Sequence, residues 1–117
     1  MSLEELAVVR QLLTGLVTEE PRSLEDFRTS YDEAGKAFGL PEGVTVTPVS
    51  AGGVPGEWLA PAAGAGKRVL LYLHGGGYAL GSLDSHRHLA ARIALALNGR
   101  VLLIDYCLLY TSPSPRD

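Results

Sequence analysis

Five consecutive residues, His74-Gly75-Gly76-Gly77-Tyr78, are the part of this 117-residue chain best suited to chemistry. Glycine has no Cβ, so its backbone can approach a ligand closely and its N–H groups can converge on an anionic oxygen. The glycines follow Val69-Leu70-Leu71-Tyr72-Leu73, a near-continuous apolar run expected of a strand buried on both faces. Ligands of open α/β sheets bind at the carboxyl ends of the strands, which is where these glycines fall. Spacing excludes two phosphate cradles. No Gly-Lys-Ser/Thr follows the first glycine, as a P-loop needs, and Gly-x-Gly-x-x-Gly started at Gly75 would need glycine where Leu80 stands. A plain tight turn is the other reading of three glycines taken alone.

The elements that must hold this loop follow from periodicity. Leu6, Val9, Leu13, Leu16 and Val17 recur at helical spacing over 2–18, and Ser2 with Glu5 forms a capping-box start. After Pro21, the residues Leu24, Phe27, Tyr31, Ala34 and Phe38 predict a second amphipathic helix that Gly39 and Pro41 end. The period then becomes two. Val44, Val46 and Val49 fall on one face and Thr45 and Thr47 on the other, followed by a turn at Ala51-Gly52-Gly53 and a strand over Val54–Leu59, which together predict a hairpin. Past the glycines, Asp84 or Ser85 would cap a helix running to about Asn98, with Leu89, Ile93 and Leu97 on its buried stripe and Gly99 as the stop. Val101–Tyr106 reads as another buried strand. Strand, glycine turn, helix and strand make one βαβ unit, so the fold class is α/β.

Composition narrows the partners. A net charge of -3, from 13 acidic and 10 basic residues, gives no electrostatic reason to expect nucleic acid or an anionic membrane. The apolar runs are too short to span a bilayer, and Glu4 and Glu5 stand where a leader would be basic, so a cytoplasmic protein is expected. Cys107 is the single cysteine and has no Cys or His partner at metal-ligand spacing, so neither a metal nor a redox cofactor is expected.

His74-Gly75-Gly76-Gly77-Tyr78, with Gly81-Ser82, His86-Arg87 and the strand end Asp105-Tyr106, resembles the hormone-sensitive-lipase family of α/β-hydrolase esterases over residues 41–106. The resemblance implies the N-terminal portion of that fold, with two cap helices in 1–40 and the start of the core in 41–106. It implies an HGGG loop in which Gly76 and Gly77 donate backbone N–H groups to a tetrahedral oxyanion. Gly75 and Tyr78 would border the substrate, and His74 would organise the loop without being the catalytic base. The implied substrate is a small-molecule carboxylic ester and no cofactor is implied. A non-catalytic small-molecule receptor on the same fold is the alternative.

The remaining candidates read as structural. Ser82 and Ser85 lie outside any Gly-x-Ser-x-Gly elbow and suit a turn and a cap. His86 and His88 fall near a helix start, where solvated or capping histidines are common, and Asp105, Trp58 and Tyr72 read as packing residues. With nucleophile, acid and base all missing, the 117 residues alone are expected to be inactive. From Cys107 to Asp117 the sequence leaves the family's Arg-Leu-Ala-Pro-Glu continuation and resembles the conceptual translation of a sequencing adapter, so 107–117 are expected to be non-native and functionless. The strand at 101–106 would then be an exposed apolar edge.

Overall fold

The structure, a computed structural model, describes residues 2–16, 22–77 and 79–106; Val17, Tyr78 and the tail 107–117 lie outside the described residues. Helix α1 (Leu3–Leu16) starts in the expected capping box, with the Ser2 N–H donating to Glu5 Oε2 at 2.6 Å and the Glu5 N–H donating to Ser2 Oγ at 3.1 Å. Its apolar side chains do not dock on the core: Leu3, Val8, Leu12 and Leu13 are all exposed. Helix α2 (Leu24–Lys36) begins in a second reciprocal box between Ser23 and Asp26.

Strands β1 (Val44–Ala51) and β2 (Val54–Pro61) form the predicted hairpin, closing at Ala51 opposite Val54. Gly52 and Gly53 both take positive φ, 61° and 90°, the hand that matches the twist of the strands they join. Strand β3 (Val69–Tyr72), helix α3 (Leu83–Leu97) and strand β4 (Arg100–Ile104) supply the βαβ unit, with β3 and β4 parallel neighbours. The sheet order is β1-β2-β4-β3, and Pro48, which cannot donate to a ladder, sits on the outer strand β1. Among the described residues no helix is long and apolar enough to cross a membrane.

Three local expectations are corrected. The last strand is not an edge: α3 carries the chain back over the sheet, so β4 inserts between β3 and β2 and buries Val101 and Leu103 completely. The edge strands are β1 and β3. Strand β3 is not buried on both faces either, because α3 covers only the face carrying Leu70, Val101 and Leu59, and leaves Val69 54% and Leu71 56% exposed. On that open face the Arg100 guanidinium lies 5.1 Å from the centroid of the Trp58 ring.

The third correction concerns α3 itself. Its cap is Ser82, ahead of Asp84 and Ser85, because Ser82 and Ser85 satisfy each other's backbone N–H groups. Its fully buried residues are Ala90, Ala91 and Ala94; Leu89 is 45% exposed, and Ile93 and Leu97 are only partly covered. Small side chains on the helix let it approach a sheet whose own Leu59, Val101 and Leu103 fill the interface. The helix stops as expected before Gly99, but the left-handed residue is Asn98, with φ 48°.

Helix α2 lies against the start of α3 at a point where only glycine fits. A Cβ on Gly35 would stand 2.5 Å from both the Cα and the carbonyl oxygen of Ser85, so α2 would have to move away. Gly35→Ala is therefore expected to destabilise the fold by about 1–3 kcal/mol, the usual range for overpacking. An unchanged denaturant midpoint would show that α2 shifts freely.

Candidate active site

The glycine loop begins where β3 ends, beside the end of its parallel neighbour β4, so two strands deliver residues to one end of the sheet. From β3 comes His74, 2% exposed. From β4 comes Tyr106, whose ring stacks on the His74 imidazole with centroids 4.5 Å apart and planes 16° apart. The other stacked neighbour is His86 of α3, on His74 at 5.4 Å and 27°. The Tyr106 hydroxyl also donates to the His74 carbonyl oxygen. His74 Nδ1 lies 2.9 Å from the Gly75 carbonyl oxygen, which places the proton on Nδ1; Nε2 is buried with no hydrogen-bond partner.

The three glycines are not equivalent. Gly76 has φ 133°, and a Cβ there would meet the Leu80 carbonyl oxygen at 2.2 Å. Its own carbonyl accepts from the N–H groups of Ala79 at 3.1 Å and Leu80 at 3.0 Å, turning the chain sharply. Gly77 also takes a positive φ, 63°, but the space around it is open, and Gly75 has neither constraint. Leu73, His74, Gly75, Gly76, Gly77 and Tyr106 line a cavity of about 530 Å³. Tyr78, expected at its border, lies outside the described residues.

Further residues brace the loop from behind. Gly81 has φ 102°, and a Cβ there would strike His74 Nδ1 at 2.3 Å, so the imidazole occupies the space a side chain would take. From α2, Arg28 Nε donates to the Ala79 carbonyl at 2.7 Å. Ser82 Oγ donates to Asp32 Oδ1 at 2.6 Å, and Ser85 Oγ bonds the Ser82 carbonyl at 2.9 Å, so both serines serve the cap and neither lines the cavity. Asp105 is tied by its N–H to the Pro55 carbonyl at 2.8 Å, and burial pushes its carboxyl up, with His74 opposing.

His86 is not the solvated histidine that its place in the sequence suggested. It sits among Tyr31, Tyr72 and His74, with Ser85 Oγ 2.7 Å from its Nδ1. Burial, and then the neighbouring His74, push its imidazole below the ordinary value, with Asp32 pulling the other way. His88 keeps a peripheral place, tilted on Phe38 at 5.4 Å with Nδ1 2.5 Å from the Gly39 carbonyl oxygen.

The His86 shift carries a sign. The unfolded chain takes up the proton near the ordinary pKa of about 6.5, before the folded chain does, so stability is full above that value and falls as pH drops below it. The denaturant midpoint should be lower at about pH 5.5 than at about pH 7.5, and the difference should shrink in His86→Phe. Asp105, shifted upward, works in the opposite sense, so the variant decides the assignment. An unaltered pH profile in His86→Phe would remove His86 from the account.

Behind the site lies an ion pair with no sequence signal. Glu57, 7% exposed on β2, takes Arg87 of α3 in a two-pronged bond, Nε to Oε2 at 2.8 Å and Nη2 to Oε1 at 2.6 Å. Asp84 accepts the third branch from Arg87 Nη1 at 2.7 Å, and this bond holds its carboxyl below the usual range.

This geometry has close relatives. A family model described as alpha/beta hydrolase fold matches residues 70–116, a span that includes ten residues of the tail. The chain is 42% identical over 118 residues to an acetyl-hydrolase of Streptomyces hygroscopicus, covering 98% of this chain and 38% of that protein. A putative acetyl-hydrolase, LipR, of Mycobacterium tuberculosis is 44% identical over 66 residues, covering 56% of this chain and 21% of that one. Among solved structures, an esterase of the bacterial hormone-sensitive lipase family superposes with a TM-score of 0.88 at 31% identity, covering 98% of this chain and 39% of that one. A hormone-sensitive lipase from a metagenome library superposes at 0.79 with 32% identity, covering 91% and 37%. The chain thus spans about two fifths of the length of these structures and of the Streptomyces relative. Its sheet order and these likenesses agree: the chain has part of an α/β-hydrolase fold and is similar to esterases of the hormone-sensitive-lipase family.

Proposed function

We propose that the full-length protein carrying this segment hydrolyses small carboxylic esters, and that this segment supplies the oxyanion hole. The observation that carries the reading is the pair of positive-φ glycines, Gly76 and Gly77, on the 530 Å³ cavity at the end of the parallel strands. Backbone N–H groups in such a place bond an oxygen as it gains charge. A serine hydroxyl, its proton taken by a base, adds to the ester carbonyl carbon, and the carbonyl electron pair moves onto oxygen, where Gly76 and Gly77 receive it. Collapse expels the alcohol, which takes the proton from the base, and water then releases the acid by the same two steps. Gly75 and Tyr78 border the acyl or alcohol group, and His74 shapes the loop without exchanging a proton with substrate. No cofactor enters this chemistry.

The printed names of two relatives, both acetyl-hydrolases, support a short acyl group in the substrate proposed here. Ser82 and Ser85 are committed to the α3 cap and no serine of the 117 residues stands in Gly-x-Ser-x-Gly, which supports a nucleophile supplied from outside the segment and a segment inactive alone. The test is hydrolysis of p-nitrophenyl acetate by the full-length protein and by residues 1–117 separately. Turnover by the first and none by the second is expected. A full-length protein that binds esters without turnover would place it with the receptors of this fold.

A further inference from the structure

We propose that Tyr106 is a positioning residue for the oxyanion loop, holding the His74–Gly75 peptide from two directions; the inference rests on the ester-hydrolysis reading above. The phenol hydroxyl donates to the His74 carbonyl oxygen, and the phenol ring stacks on the His74 imidazole at 4.5 Å. No described peptide bond is cis, and in a trans peptide the carbonyl and the following N–H point in opposite directions. Anchoring the His74 carbonyl on Tyr106 therefore fixes the direction of the Gly75 N–H and the plane from which Gly76 and Gly77 continue. The imidazole cannot escape the stack, since His86 lies on it at 5.4 Å and its Nδ1 meets the space left by the missing Cβ of Gly81. Tyr106 also lines the cavity itself, so the group that sets the loop faces the reacting centre. β4 makes this possible: it lies beside β3 in parallel register, Leu103 opposite Tyr72, so the residues just past both strand ends meet.

A residue that only packs would affect folding, whereas one that aims the loop affects turnover. Tyr106→Phe in the full-length protein keeps the ring stack and removes the bond. It is expected to lower kcat about tenfold with KM within about twofold, since small misplacements of catalytic groups cost up to about 10²-fold. Affinity for a trifluoromethyl ketone, whose adduct with the serine carries the oxyanion, should fall in parallel with kcat/KM. Tyr106→Leu, which removes stack and bond together, should lose more; if it fails to fold, the Phe variant decides alone. Unchanged kcat and unchanged ketone affinity in Tyr106→Phe would overturn the proposal. If the unmutated protein hydrolyses no ester, the enzymatic reading fails on its own, and amide resonances of Gly75, Gly76 and Gly77 then decide. They should shift in Tyr106→Phe, and an unshifted set would reject the positioning role.

Discussion

Gly76→Ala is expected to lower kcat/KM for ester hydrolysis by the full-length protein about 10²–10³-fold, the cost of losing one oxyanion donor. Two separate obstacles act at this position. The backbone φ of 133° is one that side-chain-bearing residues rarely adopt, and the new methyl would lie 2.2 Å from the Leu80 carbonyl oxygen, a backbone atom that cannot step aside alone. The turn made by the Ala79 and Leu80 N–H groups on the Gly76 carbonyl would have to open, carrying the Gly77 peptide with it. Gly77→Ala meets only the first obstacle, a positive φ of 63° with no atom near the added methyl, so a loss of about tenfold is expected there. Gly75→Ala meets neither and should keep most activity. The order of the three variants is the decisive measurement. A Gly76→Ala protein as active as Gly75→Ala would mean that the loop does not hold the oxyanion.

The loop was legible because its information is local: consecutive glycines after an apolar run need no knowledge of the rest of the chain. What braces the loop was not. Tyr106 reaches His74 across 32 positions because β4 lies beside β3; the βαβ pattern paired the two strands, but it did not disclose which side chains past their ends would meet, nor that β4 inserts between β3 and β2. The same insertion made β3 an edge in place of β4. On α3, hydrophobicity pointed to Leu89, whereas the interface selects small residues, because closeness of helix to sheet there outweighs apolar area per side chain. His86 looked solvated because its neighbours, Tyr31 and Tyr72, come from α2 and β3. Gly81 stood in the motif with no role until its missing Cβ proved to be the space that the His74 ring fills.

Glu57 presents the same lesson with the largest expected effect on stability. On β2 it occupies the face covered by α3, between buried Leu59 and the sheet's end, where periodicity expects an apolar residue. Its carboxylate is matched by both forks of Arg87, and that pairing with Glu57, ahead of all other influences, raises the guanidinium pKa further, so Arg87 stays charged at any accessible pH. Glu57→Ala removes the partner but not the charge. Such a change in a buried pair costs about 3–5 kcal/mol, and because Arg87 keeps 30% of its side chain exposed and retains Asp84, the lower end of that range is expected. Replacing both residues by methionine should recover most of the loss, since a charge-free pair of similar volume needs no desolvated ions. Lys36→Ala, at the exposed outer end of the same chain of charges, 3.7 Å from Asp84, should leave the denaturant midpoint unchanged. Urea unfolding of the four proteins separates the cases. A Glu57→Ala midpoint equal to that of Lys36→Ala would show that water reaches Arg87 and that the pair does not fasten α3 to the sheet.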